Sequence, residues 1–197
     1  MKKYEFTGEV KVGLGVTLHR IRAAVSFGIV VKGELGGWIE KEDNLSQNGN
    51  AWVFGNAEVC GNAKVFGNAE VCGNAKVFGD ALVCGNAKVC GNAEVYDNAE
   101  VHGNAWVCGN ADVCGNAEVC GNAKVYGNAD YITFKNWWSS GRWFTWTRSN
   151  NKWKVGCFFG TGAELIAKAY KDSEKCGREY ERVVKYVQSI LEDENNE

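Results

Sequence analysis

Proline is absent from this chain, although 25 of its 197 residues are glycine. Turns are therefore expected to come from glycine and asparagine, which tolerate positive φ angles better than other residues. No apolar run reaches the roughly 18 residues that a membrane-spanning helix needs, and the opening MKKYEFTGEV lacks the apolar core of a signal peptide. The sequence therefore predicts a cytoplasmic protein with no membrane partner.

An excess of charge of either sign is also missing, because 22 lysine and arginine residues balance 24 aspartate and glutamate residues. Charge alone does not favour a polyanionic partner, and only the aromatic C-terminal segment mixes rings with cations, so nucleic-acid binding is not expected. Seven of the nine cysteines occupy one position of a six-residue repeat. That spacing favours columns of free thiols over the disulfide scaffold of a secreted protein.

A six-residue repeat dominates the middle of the chain, where Gly-Asn-Ala or a one-letter variant begins fourteen hexads between Gly49 and Gly127. Each hexad offers an alanine and, two residues later, a valine, as at Ala57 and Val59, which is the period of a short strand with both side chains inward. The Gly-Asn pair suits a corner. Three such sides close a triangular turn, and successive turns stack by parallel pairing at about 4.8 Å.

This repeat resembles the hexapeptide-repeat family from Gly49 to Ala129, and the resemblance implies a left-handed parallel β-helix. We therefore predict a mainly β protein with an N-terminal β cap at residues 1–48, a β-helix at 49–130, and a small α+β module at 131–197.

The C-terminal module is predicted from turns and helix signals. Turns at Ser139–Gly141 and Ser149–Asn151 divide an aromatic stretch into a small antiparallel meander. Thr161 and Glu164 have the spacing of a capping box at the start of the first of two helices. The second helix has an apolar face at helical spacing, formed by Tyr180, Val183, Val184, Val187 and Leu191. The module is expected to cap the other end of the prism.

The wording of the repeat, together with LGGWIEKEDNLS at 35–46 and GCFFGTGAEL at 156–165, also resembles a group of uncharacterised proteins common in bacteriophages and their hosts. This second resemblance implies a phage-encoded inhibitor or adaptor in the bacterial host cytoplasm. Its partner would be a host protein or protein complex, such as a CRISPR nuclease complex, which would make it an anti-defence protein.

An enzyme is the main alternative, because many hexapeptide-repeat proteins are acyltransferases that use a histidine as a base. His102 occupies an outward position, but no hexad is interrupted by the inserted loop that such an acceptor pocket usually needs. The metal-dependent carbonic anhydrases of this fold need three histidine ligands, and the chain has two histidines. In the column of Cys84, His102 and Cys120 only two neighbours could share a metal ion. We expect no catalytic residue, metal or cofactor.

Protein binding is the preferred hypothesis, because tryptophan, tyrosine and arginine are enriched in binding hot spots. The same residues have two alternative uses: the C-terminal rings would only cover the prism end, or a prism side would pair with a second copy, giving a homo-oligomer or a self-assembling structural element. The predicted contact residues lie on the first side of the prism (Trp52, Phe54, Trp106, Tyr126) and in the C-terminal module (Trp137, Trp138, Arg142, Trp143, Trp146, Trp153).

Overall fold

A computed structural model of the chain describes residues 2 to 194, which form two compact units. The first unit contains the described residues up to Tyr131 together with 148–150, and the second contains 132–147 and the described residues from Asn151 onward. The first unit is a β-solenoid of about 5 turns, and the second ends in two helices. Within the described residues, no helix combines the length and apolar character needed to cross a membrane.

The solenoid begins with three strands from the N-terminal segment: β1 (Tyr4–Gly13), β2 (Val16–Ala23) and β3 (Leu35–Ile39). β1 pairs with β2 and β2 pairs with β3, both antiparallel. β3 then pairs in parallel with the second hexad strand, with Trp38 opposite Glu58. The predicted N-terminal cap therefore continues one of the solenoid sheets and shares its core.

The first thirteen hexads each contribute one strand of two residues, whereas the fourteenth, which begins at Gly127, forms a short 3-10 turn at Asn128–Asp130. Outward residues of successive turns pair directly, as Lys88 does with Trp106 and Glu94 with Asp112, so the chain returns to the same sheet after every third hexad. This register confirms the predicted parallel stacking. The hexad strands are Trp52–Val53 (β4), Glu58–Val59 (β5), Lys64–Val65 (β6), Glu70–Val71 (β7), Lys76–Val77 (β8), Leu82–Val83 (β9), Lys88–Val89 (β10), Glu94–Val95 (β11), Glu100–Val101 (β12), Trp106–Val107 (β13), Asp112–Val113 (β14), Glu118–Val119 (β15) and Lys124–Val125 (β16).

The core of the solenoid is a continuous stack of the inward alanines and valines. Ala87 and Val89 in the middle of the stack are both fully buried, and so are their counterparts in the other turns. The predicted phase of the hexad is therefore confirmed. Tyr4, Ile21 and Ile39 from the N-terminal strands join the same core and close it at that end.

Glycine alone provides the left-handed backbone at nearly all the hexad corners. Gly85 has a φ of 68°, and a Cβ there would lie 3.0 Å from the backbone nitrogen and oxygen of Gly103 in the next turn. The neighbouring asparagines do not have positive φ angles. They form ladders between turns, as where Asn68 Nδ2 donates to Asn86 Oδ1 at 3.0 Å. The predicted corner is confirmed, with the two residues in different roles.

Charged side chains on neighbouring turns also pair. Lys76 Nζ lies 2.9 Å from Glu94 Oε1, and Lys88 Nζ lies 2.9 Å from Glu70 Oε2, as the alternation of charge predicts. These pairs are partly exposed, so each contributes well under about 1 kcal/mol. Their main effect is on surface charge, since they neutralise most of the ladder on those sheets.

The second unit packs two helices, α1 (Gly162–Asp172) and α2 (Glu174–Glu194), with a four-stranded sheet in meander order. Its capping box is present: Glu164 N donates to Thr161 Oγ1 at 3.3 Å, and Thr161 N donates to Glu164 Oε2 at 2.7 Å. The predicted apolar face of α2 is buried against Phe144 and Trp153. The strands are Tyr131–Lys135 (β17), Trp143–Thr147 (β18), Lys152–Val155 (β19) and Phe158–Gly160 (β20).

Candidate functional site

The first face of the solenoid, formed by the outward residues of β4, β7, β10, β13 and β16, carries one exposed tryptophan. Trp106 is 42% exposed, and its ring lies between Lys88 Nζ at 5.9 Å and Lys124 Nζ at 5.7 Å from the centroid. Tyr126, beyond β16, is also exposed. Cations over an aromatic face hold the indole against the sheet. This part of the predicted binding surface is accessible.

Trp52 does not belong to that surface. It stands in the same column as Trp106, as predicted, but it is completely buried. The rings of Tyr4 and Phe27 meet it edge-on at centroid distances of 6.1 and 5.3 Å. Phe54 is half-buried and also packs on the solenoid core. Burial corrects the prediction for Trp52, because the N-terminal segment covers this part of the first face as well as closing the core.

Two of the C-terminal tryptophans are likewise inside. Trp146 and Trp153 are 3% and 2% exposed and belong to the core between the sheet and the helices. Trp146 Nε1 donates to Asn151 Oδ1 at 2.9 Å, so its one polar group is satisfied. These two rings are structural residues of the second unit, and they cannot contact a partner while that unit is folded.

The remaining predicted residues of the second unit are accessible. Trp137 is 78% exposed and meets Trp138 edge-on at 5.7 Å between ring centroids. Trp143 is 37% exposed and lies 5.9 Å from Lys135 Nζ, and Arg142 is exposed as well. Large exposed rings clustered on one segment are typical of a contact surface.

Beside Trp138 the second unit has an apolar groove of about 380 Å³. Trp138 Nε1 donates to Glu179 Oε2 at 2.9 Å, and Glu179 Oε1 also lies 2.9 Å from Arg182 Nη1. The indole is thereby held at one wall, and the charged pair is part of the lining. The groove is lined by Ile132, Phe134, Trp138, Glu179, Arg182, Val183 and Tyr186.

Of the groove residues, only Trp138 is predicted from the sequence as a contact residue, and Val183 is predicted only as part of an apolar helix face. Ile132 and Phe134 are alternate residues of β17, which places their side chains on the same side of the strand. Tyr186 follows Val183 by three residues on α2, so it lies at the margin of the predicted apolar face. The helical period alone therefore places Tyr186 beside the predicted apolar face. In the structure its side chain is 65% exposed.

The stacked cysteines of the repeat have low chemical reactivity. No disulfide links any of the nine cysteines, all of which lie within the described residues, and the repeat cysteines are buried or partly exposed. Burial, reinforced by the neighbouring Cys90 thiol, raises the pKa of Cys72 to about 11, and burial likewise raises the pKa of Cys108 to about 11. Both therefore remain protonated at neutral pH, where a thiol is a poor nucleophile and a poor metal ligand.

His102, the one histidine of the repeat, has carboxylate neighbours. Its Nε2 lies 2.9 Å from Glu118 Oε1, on the strand of the next turn. Glu100 pairs directly with Glu118 in the β12–β15 register. The repeat spacing predicts Cys84 and Cys120 as the neighbours of His102, and the structure adds the two glutamates.

No protein-family model matches the chain, and a search of curated proteins also finds no match. The arguments for function therefore come from the groove, the exposed aromatic residues and the His102 cluster. Of these, the groove brings five apolar or aromatic side chains together in one lining, with Glu179 and Arg182 beside them.

Proposed function

We propose that this protein is a non-catalytic scaffold that binds another protein, and that the groove of the second unit is its main contact site. The observation that carries the proposal is the combination, in one groove lining, of apolar side chains with the Glu179–Arg182 pair, in which the Arg182 side chain is 73% exposed. A buried apolar centre surrounded by polar groups is the usual anatomy of a protein interface. The expected partner inserts one or two apolar side chains into the groove.

The groove walls are held in place before any partner arrives. The hydrogen bond from Trp138 to Glu179 restrains the indole, and Phe134 stacks on Phe144 of the core at 5.0 Å between centroids. Less side-chain entropy is lost on association when contact residues are already ordered. Tyr186, which lines the groove and is 65% exposed, enlarges the contact area.

The finer proposal follows the resemblances of the repeat. A left-handed β-helix of the hexapeptide-repeat type would serve as a rigid support, and the likeness to phage-type Gly-Asn-Ala-x-Val proteins makes a bacterial host protein the intended partner. Binding without chemistry fits an inhibitor or adaptor, including one directed against a defence complex such as a CRISPR nuclease. Trp106 and Tyr126 on the first face offer a second contact, either for that partner or for another copy of the chain.

The test is a quantitative affinity capture from bacterial lysates with the purified, tagged chain. A double variant, Trp138→Ala with Tyr186→Ala, removes two walls of the groove. Proteins captured specifically by the wild type should fall by about tenfold or more with the variant, since a single hot-spot aromatic often accounts for such a factor. Trp137→Ala is the matched control, because Trp137 is a neighbouring exposed ring that does not line the groove.

Equal capture by the wild type and the double variant would refute the groove as the contact site. Equal loss with Trp137→Ala would move the contact to the exposed rings outside it. Light scattering on the purified wild type and on Trp106→Ala tests whether the first face mediates self-association. A dimer or trimer that becomes a monomer on substitution would show that it does.

A hexapeptide-type acyltransferase is the second candidate, because a carboxylate beside a histidine is a common arrangement for a general base. Glu118 supplies that carboxylate at 2.9 Å from His102 Nε2. The hexads around it are uninterrupted, which is why this candidate ranks second. Acetyl transfer from acetyl-coenzyme A to amine or hydroxyl acceptors, lost in His102→Ala, would favour the enzyme over the scaffold.

A further inference from the structure

The third face of the solenoid, formed by the outward residues of β6, β9, β12 and β15, brings three metal-ligating side chains together. Glu100, His102 and Glu118 each offer one ligand atom, and the three atoms all lie within 4.8 Å of one another. Glu100 and His102 come from one turn, and Glu118 comes from the next. The solenoid register therefore assembles the cluster from residues that are far apart in the sequence.

The distances are close to those of a coordination shell. Zinc binds imidazole nitrogen and carboxylate oxygen at about 2.0–2.2 Å, which places tetrahedral ligand atoms about 3.3 Å apart. His102 Nε2 and Glu118 Oε1 already approach to 2.9 Å. Glutamate side chains on a strand can move their carboxylates by an ångström or more through rotamer changes, with no shift of the backbone. Such changes would close the widest gap in the cluster.

Electrostatics also favours a cation at this place. Glu100 and Glu118 stand directly opposite each other, and like charges in that position destabilise a sheet. The neighbour of Glu100 on its other side in the column is Leu82. The second face, formed by the outward residues of β5, β8, β11 and β14, also has a like-charged pair, Glu94 and Asp112, with Lys76 at 2.9 Å from Glu94.

The donor set selects among the cations. One imidazole with two carboxylates suits zinc, which accepts nitrogen and oxygen ligands together and fills its fourth position with water. Magnesium prefers an all-oxygen octahedral shell and would gain little from His102. The second face has tyrosine, Tyr96, at the position that corresponds to His102, so it lacks the nitrogen ligand.

We propose that Glu100, His102 and Glu118 form a surface site for one Zn²⁺, which links two successive turns of the solenoid. The site lies on the third face and shares no residue with the groove of the second unit. Bound zinc would replace a repulsive cross-strand pair with coordinate bonds, so it would stabilise the first unit.

Isothermal titration of the purified, reduced full-length chain with zinc chloride tests the proposal. The wild type should bind one zinc ion at this site. His102→Ala should abolish that event, and Glu118→Gln should weaken it by about tenfold or more. Glu94→Gln with Asp112→Asn, which removes the like-charged pair of the second face, is the matched control and should bind as the wild type does. Magnesium chloride should give no comparable event.

Titration with Co²⁺ separates this site from the free thiols. Cobalt at Glu100, His102 and Glu118 should give visible bands without thiolate-to-metal charge transfer, and these bands should vanish in His102→Ala. Charge-transfer bands that persist in His102→Ala would assign the metal to cysteines and overturn the proposal. Zinc binding unchanged in both His102→Ala and Glu118→Gln would overturn it as well, once circular dichroism shows that the variants are folded.

Discussion

Both units bury residues of their strands, but they specify the inside and the outside of the fold in different ways. In the solenoid, the position within the hexad decides burial: Val89 is fully buried, and its sequence neighbour Lys88 is not. In the second unit, residue type does not decide it. Trp153 is 2% exposed and Trp137 is 78% exposed, although both are tryptophans of the same aromatic segment.

The difference comes from how each core is assembled. A solenoid turn repeats the turn before it, so that one rule about one hexad applies to them all. The second unit has a single core made once, in which Phe144 meets Trp153 and Tyr180 edge-on at 6.3 and 4.8 Å. Such contacts depend on the folded arrangement of sheet and helices. Burial in the repeat can therefore be predicted from a single hexad, whereas burial in the second unit cannot be predicted from the local sequence.

The largest expected effect is that of Val89→Asp in the middle of the solenoid. The carboxylate would lie among fully buried alanine and valine side chains without a partner, which should lower the free energy of unfolding by about 4–5 kcal/mol. Thermal unfolding followed by circular dichroism measures the change. Lys64→Asp, on an exposed position of the third face, is the control and should be nearly neutral. A wild-type melting temperature for Val89→Asp would contradict the equivalence of the hexads.

A comparison of Trp153→Ala with Trp137→Ala tests whether tryptophans of the second unit differ in their contribution to stability. Removing the buried ring should destabilise the second unit by about 3–4 kcal/mol, since it leaves a cavity, whereas removing the exposed ring should change stability by less than about 0.5 kcal/mol. Chemical denaturation followed by tryptophan fluorescence and circular dichroism gives both values. Similar losses in the two variants would mean that Trp137 also packs against structure.

The smallest expected effect concerns the corners. Gly85→Ala places a side chain on a left-handed backbone and 3.0 Å from the backbone of Gly103, so stability should fall by about 1–2 kcal/mol. Gly115→Ala has the same backbone strain, with a φ of 66°, but nothing within 4 Å of the new Cβ. It should cost less, and the difference measured by thermal unfolding isolates the contact between turns. Equal losses would show that strain alone sets the requirement for glycine.

Most of the fold could be predicted because it depends on local chemistry repeated many times. The alternation of alanine and valine gave the inward phase, glycine gave the corners, and the Thr161–Glu164 spacing gave the start of α1. The side chains that close the end of the core could not be predicted. Trp52 is buried by Tyr4 and Phe27, and no local pattern links those residues to the first face.

The candidate sites were predicted less well, because both depend on contacts between distant elements. The groove joins β17 to α2, so Trp138 meets Glu179 across a separation of 41 residues. The cluster at His102 was missed for a different reason. Counting by whole turns aligns His102 with Cys120, whereas the long side chain of Glu118 reaches His102 diagonally at a separation of 16 residues.

The chain returns to each sheet after three hexads. The effect of an insertion or deletion in the repeat therefore depends on how many hexads it adds or removes. Loss of one hexad between Glu100 and Glu118 would keep every inward valine in phase, yet it would move Glu118 opposite a residue of another face. Loss of three hexads would remove one turn and keep the later residues on their faces. The solenoid can therefore change its length during evolution in whole turns while its surface chemistry stays aligned, and shorter changes exchange one face for another.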